Sequence, residues 1–288
     1  MNTTSPRLFV SSPLSLGVEI PASAAQAHYL GTVLRQGPGD PVRLFNGVDG
    51  EWLAHAAFPR RDRAVLTVTR RTRPQTPESG PWLVFALLKR DATDLVVRQA
   101  VELGAARIMP VLTGRTNAAR VNEDRLRAIA IEAAEQSERL TVPPVDPPAR
   151  LDAVLAAWPV ERRLFAALER LEADAVDPRL LHRPPPARPD DAAGSRVKTA
   201  DDASEQAGPE QAGLGRVAGP APAGARPLQA LLVGPEGGFT PAEREMLRRM
   251  PWVTPLSLGP LVLRAETAAA AGQALLPGMG WAEYGGST

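Results

Sequence analysis

The sequence predicts an α/β protein in which a parallel sheet covered by helices follows a small β-rich unit. In the first 72 residues, short apolar segments are separated by Asn-Gly and Asp-Gly pairs, which are typical of antiparallel hairpins. From residue 82 onward, continuous apolar runs alternate with amphipathic segments, which indicates strands buried between helices. The chain has 288 residues, of which 44% are hydrophobic, so two domains with separate cores are expected.

The predicted N-terminal domain, residues 1–72, is a small β-barrel with one inserted helix. After the helix, strands are predicted at residues 41–47, 51–58 and 64–70. Asn46-Gly47 and Asp49-Gly50 are the predicted turns. The helix is predicted within residues 22–35, where one face would present Ala27, Leu30, Val33 and Leu34. Residues 73–81 are rich in proline and small polar side chains, and we expect them to link the two domains.

The predicted C-terminal domain, residues 82–288, alternates strands with helices. Its strands are predicted at residues 82–88, 106–112, 162–168, 228–233 and 253–258. Its helices are predicted at residues 91–104, 122–140 and 150–158, from residue 241, and after the last strand. Asn122 suits an N-cap and Gly104 suits a C-cap, which supports two of these boundaries.

Residues 172–227 interrupt this alternation. They are dense in Pro, Ala, Gly and Asp and have little aromatic content, so they predict a loosely packed insertion. Residues 213–219 within them imitate a dinucleotide-binding glycine motif. The spacing is wrong and no predicted strand precedes it, so we do not expect a nucleotide site there.

The composition excludes several classes of site. Without cysteine the chain has no disulfide, no thiolate metal site and no cysteine nucleophile. His28, His55 and His182 are scattered along the chain, so no metal site is predicted. The start of the chain lacks the pattern of a secretory signal, and the apolar runs are too short to cross a bilayer. A cytoplasmic location is therefore expected.

One segment departs from the balanced charge of the chain, which is +1 overall. Residues 60–73, the arginine-rich stretch, contain six arginines and a single acidic residue. Such a segment is either a solvated surface or a patch that contacts phosphates.

Residues 234–239, Gly-Pro-Glu-Gly-Gly-Phe, predict a turn between a strand and a helix. Thr240, Pro241 and Glu243 suit the N-cap, N1 and N3 positions of that helix. The glycines permit positive φ angles and close approach of a ligand to the backbone. The lysine and hydroxyl residue of a phosphate loop are missing, and Glu236 would repel a phosphate. The turn therefore favours a neutral or cationic nucleoside.

Residues 256–267 repeat this arrangement, with a strand, Gly259-Pro260 and a compact turn into a helix. Residues 261–263 are apolar although they lie in a loop, where exposed apolar side chains need a reason. Arg264 and Glu266 place a cation and an anion at the helix entrance. Two such turns at neighbouring carboxyl ends of a parallel sheet predict one shared pocket.

These turns resemble the C-terminal signature of the RsmE-type ribosomal RNA uridine N3-methyltransferases, within the SPOUT superfamily. In this chain the residues that carry the resemblance are 234–243, GPEGGFTPAE, and 258–267, LGPLVLRAET. Residues 33–47 resemble the PUA-like barrel of that family, and residues 89–116 resemble its first strand–helix–strand unit. Residues 133–143 are similar to the segment after its long helix, so the resemblance extends through most of the chain.

The resemblance implies a SPOUT-type parallel sheet with a C-terminal trefoil knot, a homodimer, and S-adenosylmethionine held in the knot. It implies methylation of a uridine in the 16S RNA of the small ribosomal subunit. The residues that it assigns to the two cofactor walls are Leu232, Gly234, Pro235, Glu236, Gly237 and Gly238, and then Leu258, Gly259, Leu263 and Arg264.

Uracil N3 lies on the Watson–Crick edge and is protonated at neutral pH. Its methylation therefore needs an unpaired base and a group that removes the proton or stabilises the anion. We expect Arg264 to be the electrostatic stabiliser and Glu266 or Glu236 to be the proton acceptor. The family commonly has an arginine where this chain has Leu261.

RNA contacts are expected from both domains. The candidates are Arg7, Arg35, Arg43 and the arginine-rich stretch in the barrel, and Lys89, Arg90, Arg115 and Arg139 in the C-terminal domain. Three alternatives remain open at this point: a SPOUT methyltransferase with another RNA target, a catalytically weakened RNA-binding homologue, and a nucleotide-binding α/β enzyme of different chemistry. Leu261 is the best support for the second.

Overall fold

The structure, a computed structural model, describes residues 5–60, 62–116, 121–168 and 228–276. The predictions for Arg61, for His182 and for the insertion at 172–227 lie outside these ranges, as do both chain ends. Within the described ranges, no helix combines the length and the apolar character needed to cross a membrane.

The N-terminal domain, predicted as a small β-barrel, is built on a five-stranded sheet. The strands are β1 (Arg7–Phe9), β2 (Glu19–Pro21), β3 (Pro41–Phe45), β4 (Glu51–Arg60) and β5 (Arg63–Arg73). Their order is β1-β3-β4-β5-β2, with β1 parallel to β3 and the other pairs antiparallel. Alternate side chains of the strands form the core, and Val42, Leu44, Ala54 and Leu66 are fully buried.

The inserted helix changes its winding midway. Helix α1 (Ala24–His28) is followed directly by a π-helical turn, Tyr29–Val33. Leu30 is buried as predicted, but Val33 and Leu34 are 59% and 41% exposed. The predicted apolar face is therefore wrong at its end, because the wider π-helical spacing rotates these two side chains away from the core.

The C-terminal domain consists of a parallel sheet and its helices. In chain order the elements are β6 (Trp82–Ala86), α2 (Arg90–Glu102), β7 (Arg107–Leu112), α3 (Glu123–Gln136), β8 (Ala149–Arg150), α4 (Leu151–Ala156), β9 (Arg163–Ala167), β10 (Gln229–Val233), α5 (Pro241–Arg248), β11 (Val253–Leu256) and α6 (Ala265–Leu275). The strand order is β11-β9-β10-β6-β7-β8, and every neighbouring pair is parallel. The predicted parallel sheet is confirmed, and its strands all end at one edge, the carboxyl edge.

The predicted helix boundaries rest on local hydrogen bonds. Asn122 caps α3, accepting a bond of 3.0 Å from the backbone N of Arg125. Gly104 follows α2 with a φ of 76°, the left-handed geometry of a C-terminal glycine. Thr240 and Glu243 form the expected capping box at the start of α5.

Helix α6 returns from the edge of the sheet towards its centre. Strand β11 lies at the edge beside β9, yet α6 packs against β10, β6 and α2. Gly272 permits this close approach, because a Cβ there would lie 2.7 Å from the side chain of Leu231. The next residue on β10, Leu232, belongs to the cluster on the other side of the sheet, with α4 and α5.

A buried arginine joins the two domains. Arg7 donates from Nε to Glu51 at 2.7 Å and from Nη1 to the carbonyl of Ala134 at 2.7 Å. It also donates to the carbonyl of Arg139, so it satisfies carbonyls at the end of α3. Its guanidinium lies 3.7 Å from the centre of the Phe45 ring. Phe45 lies at the end of β3, and its side chain packs into the core cluster of the C-terminal domain. We call these contacts the domain junction.

The domain junction corrects the expected RNA contacts. The side chain of Arg7 is only 3% exposed and bonded as described, so we remove it from the expected RNA surface. Arg139 is removed for the same reason, since it is 9% exposed and pairs with Glu78 at 2.6 Å. Arg43 is 20% exposed and pairs with Glu138 at 2.9 Å.

Candidate active site

The two predicted turns meet around one cavity at the carboxyl edge. The cavity has a volume of about 240 Å³ and is lined by parts of both turns. The first turn follows β10 and the second follows β11, and β9 lies between these strands in the sheet. Ala167 and Leu168, at the end of β9, therefore also line the cavity. The shared pocket expected from the sequence is present in the structure.

The first turn, residues 234–239, is compact. Gly238 has a φ of 65°, and its N donates to the carbonyl of Pro235 at 2.8 Å. Gly234 is needed for another reason, because a Cβ there would lie 2.9 Å from the ring of Phe239. Phe239 is only 3% exposed, so its ring has little room to move away. Glycine is required at 234 for packing and at 238 for backbone conformation.

The loop that follows β7 braces this turn. Arg115 donates from Nη1 to the carbonyl of Gly237 at 2.7 Å, and Gly114 N donates to Glu243 Oε1 at 2.7 Å. The other oxygen of Glu243 accepts from Thr240 N at 2.8 Å. Partial burial alone would raise the pKa of Glu243, but the hydrogen bonds from Gly114 and Thr240 outweigh it and lower the pKa. The carboxylate is therefore charged at neutral pH.

The second turn, residues 257–264, is more open. Gly259 has a φ of 113°, and its N donates to the hydroxyl of Ser257 at 3.3 Å. Leu261 and Val262 line the cavity although they are 76% and 77% exposed. Leu263 is half-buried and packs against the core of the domain. This wall therefore presents apolar side chains both to the cavity and to the surroundings.

The charged residues predicted for catalysis occupy different positions. Arg264 and Glu236 are both exposed and line the cavity, one from each turn. Arg264 is also the N-cap of α6 through its backbone carbonyl, which accepts from Ala268 N at 2.8 Å. Glu266 lies half-buried in the first turn of α6 and is not among the residues that line the cavity. The cavity thus combines one cation and one anion.

Most of the residues assigned to the cofactor walls line the cavity. They are Gly234, Pro235, Glu236, Gly238, Leu258, Gly259, Leu263 and Arg264. Gly237 is not among the lining residues, and its carbonyl accepts from Arg115. Leu232 does not line the cavity, because alternation along β10 turns its side chain into the core cluster on the opposite side of the sheet.

Sequence reasoning missed several lining residues, and their signals differ. Ser257 is a hydroxyl residue two positions before Gly259, at the start of the second turn, so it could have been found. Ala265 and Ala268 begin the alanine-rich helix after that turn and had a weaker signal. Ala167 and Leu168 had none, because the place of β9 between β10 and β11 depends on strand order.

Exposed cations gather at the carboxyl edge. Lys89 and Arg90 stand at the start of α2 after β6, Arg115 follows β7, and Arg264 follows β11. Arg35 is exposed on the N-terminal domain and has a φ of 55°, which is uncommon outside glycine. A row of cations beside a cavity creates a positive potential that attracts a polyanion.

Family models match most of the chain. Residues 78–180 and 198–276 match a model described as an RNA methyltransferase domain. Residues 23–68 match a model described as an RNA methyltransferase PUA domain. Residues 181–197, which separate the two matched parts of the first model, fall within the predicted insertion.

Similar proteins have a common name. The ribosomal RNA small subunit methyltransferase E of Rickettsia conorii is 29% identical over 264 residues, which cover 91% of each chain. The protein of that name from Mycobacterium bovis is 30% identical over 253 residues, covering 85% of this chain and 80% of the relative. A crystal structure of the Neisseria gonorrhoeae protein bound to S-adenosyl methionine is 25% identical, covers 94% of this chain and 95% of the other, and has a TM-score of 0.68.

The fold, the cavity between two glycine-proline turns and these matches agree with the resemblance seen in the sequence. The chain is an enzyme that belongs to the RNA methyltransferase family, and its residues 23–68 match the PUA domain model of RNA methyltransferases.

Proposed function

We propose that this enzyme transfers the methyl group of S-adenosylmethionine to N3 of a uridine in the 16S RNA of the small ribosomal subunit. The observation that supports this most is the cavity at the carboxyl edge, which Glu236 and Arg264 line from separate turns. The relatives described above are named as methyltransferases of small-subunit ribosomal RNA, which agrees with this substrate.

The cavity suits a sulfonium nucleoside. Its volume of about 240 Å³ lies slightly below the ~300 Å³ lower end of ordinary ligand sites. Gly234, Gly238 and Gly259 line the cavity without side chains, so a ligand can approach the backbone closely there. The Glu236 carboxylate favours a cationic ligand and disfavours a phosphate. When bound, the cofactor supplies an activated methyl group.

The residues of the chain supply orientation and charge. Uracil N3 must lose its proton, and a nearby cation favours the resulting anion. We assign that stabilisation to Arg264, which is exposed at the cavity. Between the two candidate carboxylates, we assign the proton to Glu236, because Glu266 lies outside the lining.

The RNA would approach at the carboxyl edge. Because N3 takes part in base pairing, the target uridine must be unpaired or turned out of its helix. Lys89, Arg90 and Arg115 stand exposed at this edge after β6 and β7, so we expect them to contact phosphates on that side of the cavity. Arg35 and the exposed arginines of the arginine-rich stretch would extend the contact onto the PUA domain.

We also propose the trefoil knot, the homodimer and the cytoplasmic location that the resemblance implies. The return of α6 from the edge strand β11 to β10 and β6 is compatible with a threaded chain. Leu261 and Val262, both largely exposed, suit a surface covered by a second copy. Analytical ultracentrifugation tests the dimer, and a monomer at micromolar concentration would contradict it.

The decisive experiment incubates the full chain with S-adenosylmethionine and small-subunit RNA or particles, followed by mass spectrometry of the nucleosides. We expect 3-methyluridine as the product. A methyl group on another atom or nucleoside would favour a different RNA target. Cofactor binding without transfer would favour a weakened homologue, and binding of ATP or NAD in its place would contradict the proposal.

A further inference from the structure

We propose that Arg115 is a positioning residue for the cofactor wall, and that it acts by holding the peptide between Gly237 and Gly238 in one orientation. This inference rests on the proposed function, because it concerns the same cavity. Besides its expected RNA contact, Arg115 would then have a role that does not require RNA.

The peptide between Gly237 and Gly238 is held at both ends. Its carbonyl, from Gly237, accepts from Arg115 Nη1 at 2.7 Å. Its N–H, from Gly238, donates to the carbonyl of Pro235 at 2.8 Å. With glycine on both sides, rotation of this peptide meets little steric resistance, so hydrogen bonds must select its orientation. Gly238 lines the cavity, and a rotated peptide would lose its bonds to both Arg115 and Pro235 and so change this part of the wall.

Arg115 stands on a loop that is itself supported. Thr116 N donates to the carbonyl of Thr113 at 3.1 Å, and Thr113 N donates to the Thr116 hydroxyl at 2.9 Å. The Arg115 stem also covers the turn, with its Cδ 3.6 Å from the place where a Cβ on Gly237 would be. The side chain therefore approaches Gly237 from a fixed base, with both its stem and its guanidinium.

Glu243 fixes this loop relative to the turn. Its Oε1 accepts from Gly114 N at 2.7 Å, and its Oε2 accepts from Thr240 N at 2.8 Å, directly after the turn. One carboxylate thus ties the loop after β7 to the start of α5. Arg115 and Glu243 together hold the cofactor wall between the ends of β7 and β10, the two strands that flank β6 in the sheet.

The test measures cofactor affinity without RNA, by calorimetric titration of S-adenosylmethionine into purified variants. Arg115→Met removes the donor and keeps much of the stem, so we expect the Kd to rise ~10-fold, the loss of one charge-assisted hydrogen bond. Arg115→Lys keeps the charge and a donor with a different reach, so its Kd should lie between those of the wild type and Arg115→Met. Arg127→Met, at an exposed position on α3, is the matched control and should bind like the wild type.

Steady-state kinetics separate positioning from a general loss of fold. With saturating RNA, Arg115→Met should raise KM for S-adenosylmethionine more than it lowers kcat, and its melting temperature should match that of Arg127→Met. Glu243→Gln is the second variant and should raise the Kd ~3-fold, because one charge-assisted hydrogen bond is weakened rather than removed.

A wild-type Kd in Arg115→Met, with only RNA affinity reduced, would overturn the inference and leave the proposed function intact. An unchanged Kd in Glu243→Gln would count against it in the same way if Arg115→Met could not be folded. Failure of the wild-type protein itself to bind S-adenosylmethionine would instead overturn the proposed function.

Discussion

Arginines at the domain junction and at the carboxyl edge have opposite environments. Arg7 is 3% exposed, and its guanidinium is bonded to Glu51 and to carbonyls at the end of α3. Burial lowers the pKa of Arg7, against the effect of Glu51, which raises it. Arg115 and Arg264 are exposed near the cavity. The same side chain stabilises the fold where it is buried and stays accessible to a ligand where it is not.

This difference separates stability from activity. A buried charge that loses its partner remains desolvated, so its cost falls on folding. Removing an exposed charge near a cavity changes the free energy of unfolding little. Its loss should therefore be seen in ligand affinity or in reaction rate. Each substitution below tests whether a residue belongs to the junction or to the edge.

The largest effect is expected for Arg7→Met. It removes the partner that lies 2.7 Å from Glu51, whose side chain is 2% exposed, and leaves the longer contacts to Arg43 at 3.8 Å and Arg73 at 3.9 Å. The free energy of unfolding should fall by roughly 3–5 kcal/mol. Chemical denaturation measures this change. Arg71→Met, at an exposed position on β5, is the control and should stay within about 0.5 kcal/mol of the wild type. A loss below about 1 kcal/mol for Arg7→Met would mean that the junction contributes little to the fold.

Arg264→Ala should have the next largest effect, and on rate rather than stability. Removing one electrostatic stabiliser of a developing anion lowers kcat ~100-fold to ~1,000-fold. Single-turnover methylation of small-subunit RNA measures this change, with Arg98→Ala on α2 as an exposed control. Turnover like that of the control would remove Arg264 from the mechanism and leave it with its backbone role at α6.

Two glycines of the first turn should respond differently to alanine. Gly234→Ala brings a Cβ to 2.9 Å from the Phe239 ring, whereas Gly237→Ala meets the Arg115 side chain at 3.6 Å. Overpacking of this kind costs roughly 1–3 kcal/mol, so the S-adenosylmethionine Kd should rise at least ~5-fold for Gly234→Ala. The Kd of Gly237→Ala should change less than ~2-fold by calorimetry. Equal effects would show that space around Phe239 does not shape the cavity.

Glu135 at the domain junction and Glu243 near the carboxyl edge should make the stability of the protein depend on pH in opposite directions. Burial raises the pKa of Glu135, whose Oε1 accepts from Phe9 N at the junction, so the folded state holds its proton more tightly. Its contribution to stability is present at low pH and is lost as pH rises above the ordinary value of 4.5. The pKa of Glu243 is lowered despite partial burial, through bonds from Gly114 and Thr240. Its contribution is present above 4.5 and is lost as pH falls.

Unfolding measured from pH 3 to pH 7 tests this pair. Glu135→Gln should remove a decline of stability with rising pH, and Glu243→Gln should remove a rise. Curves that both keep the wild-type slope would contradict the assignment of these carboxyls.

The smallest effect is expected for single cations in RNA binding. Lys89→Ala or Arg90→Ala should lower the slope of log affinity against log salt by roughly 0.7 to 0.9, one phosphate contact each. Fluorescence anisotropy with labelled RNA at several salt concentrations measures the slope. A slope equal to that of the wild type in both variants would remove this edge from the RNA surface.

Much of the site could be predicted because its signals are local. The glycines of both turns, the Thr240 capping box and Arg264 lie within a few residues of strand or helix ends, where backbone conformation restricts residue type. Leu232, which the resemblance assigned to a cofactor wall, is not among the residues that line the cavity. The alternation of side chains along β10 sends Leu232 to the opposite layer.

The sequence by itself determined most of the succession of strands and helices along the C-terminal domain, three of their caps, and the two turns that line the cavity. These depend on interactions among near neighbours, which a linear sequence displays directly. Only the tertiary structure decided that β9 supplies Ala167 and Leu168 to the cavity, that Arg7 is buried at the end of α3, and that Arg115 reaches Gly237. Those facts depend on strand order and burial, which join residues more than a hundred positions apart in the last two cases.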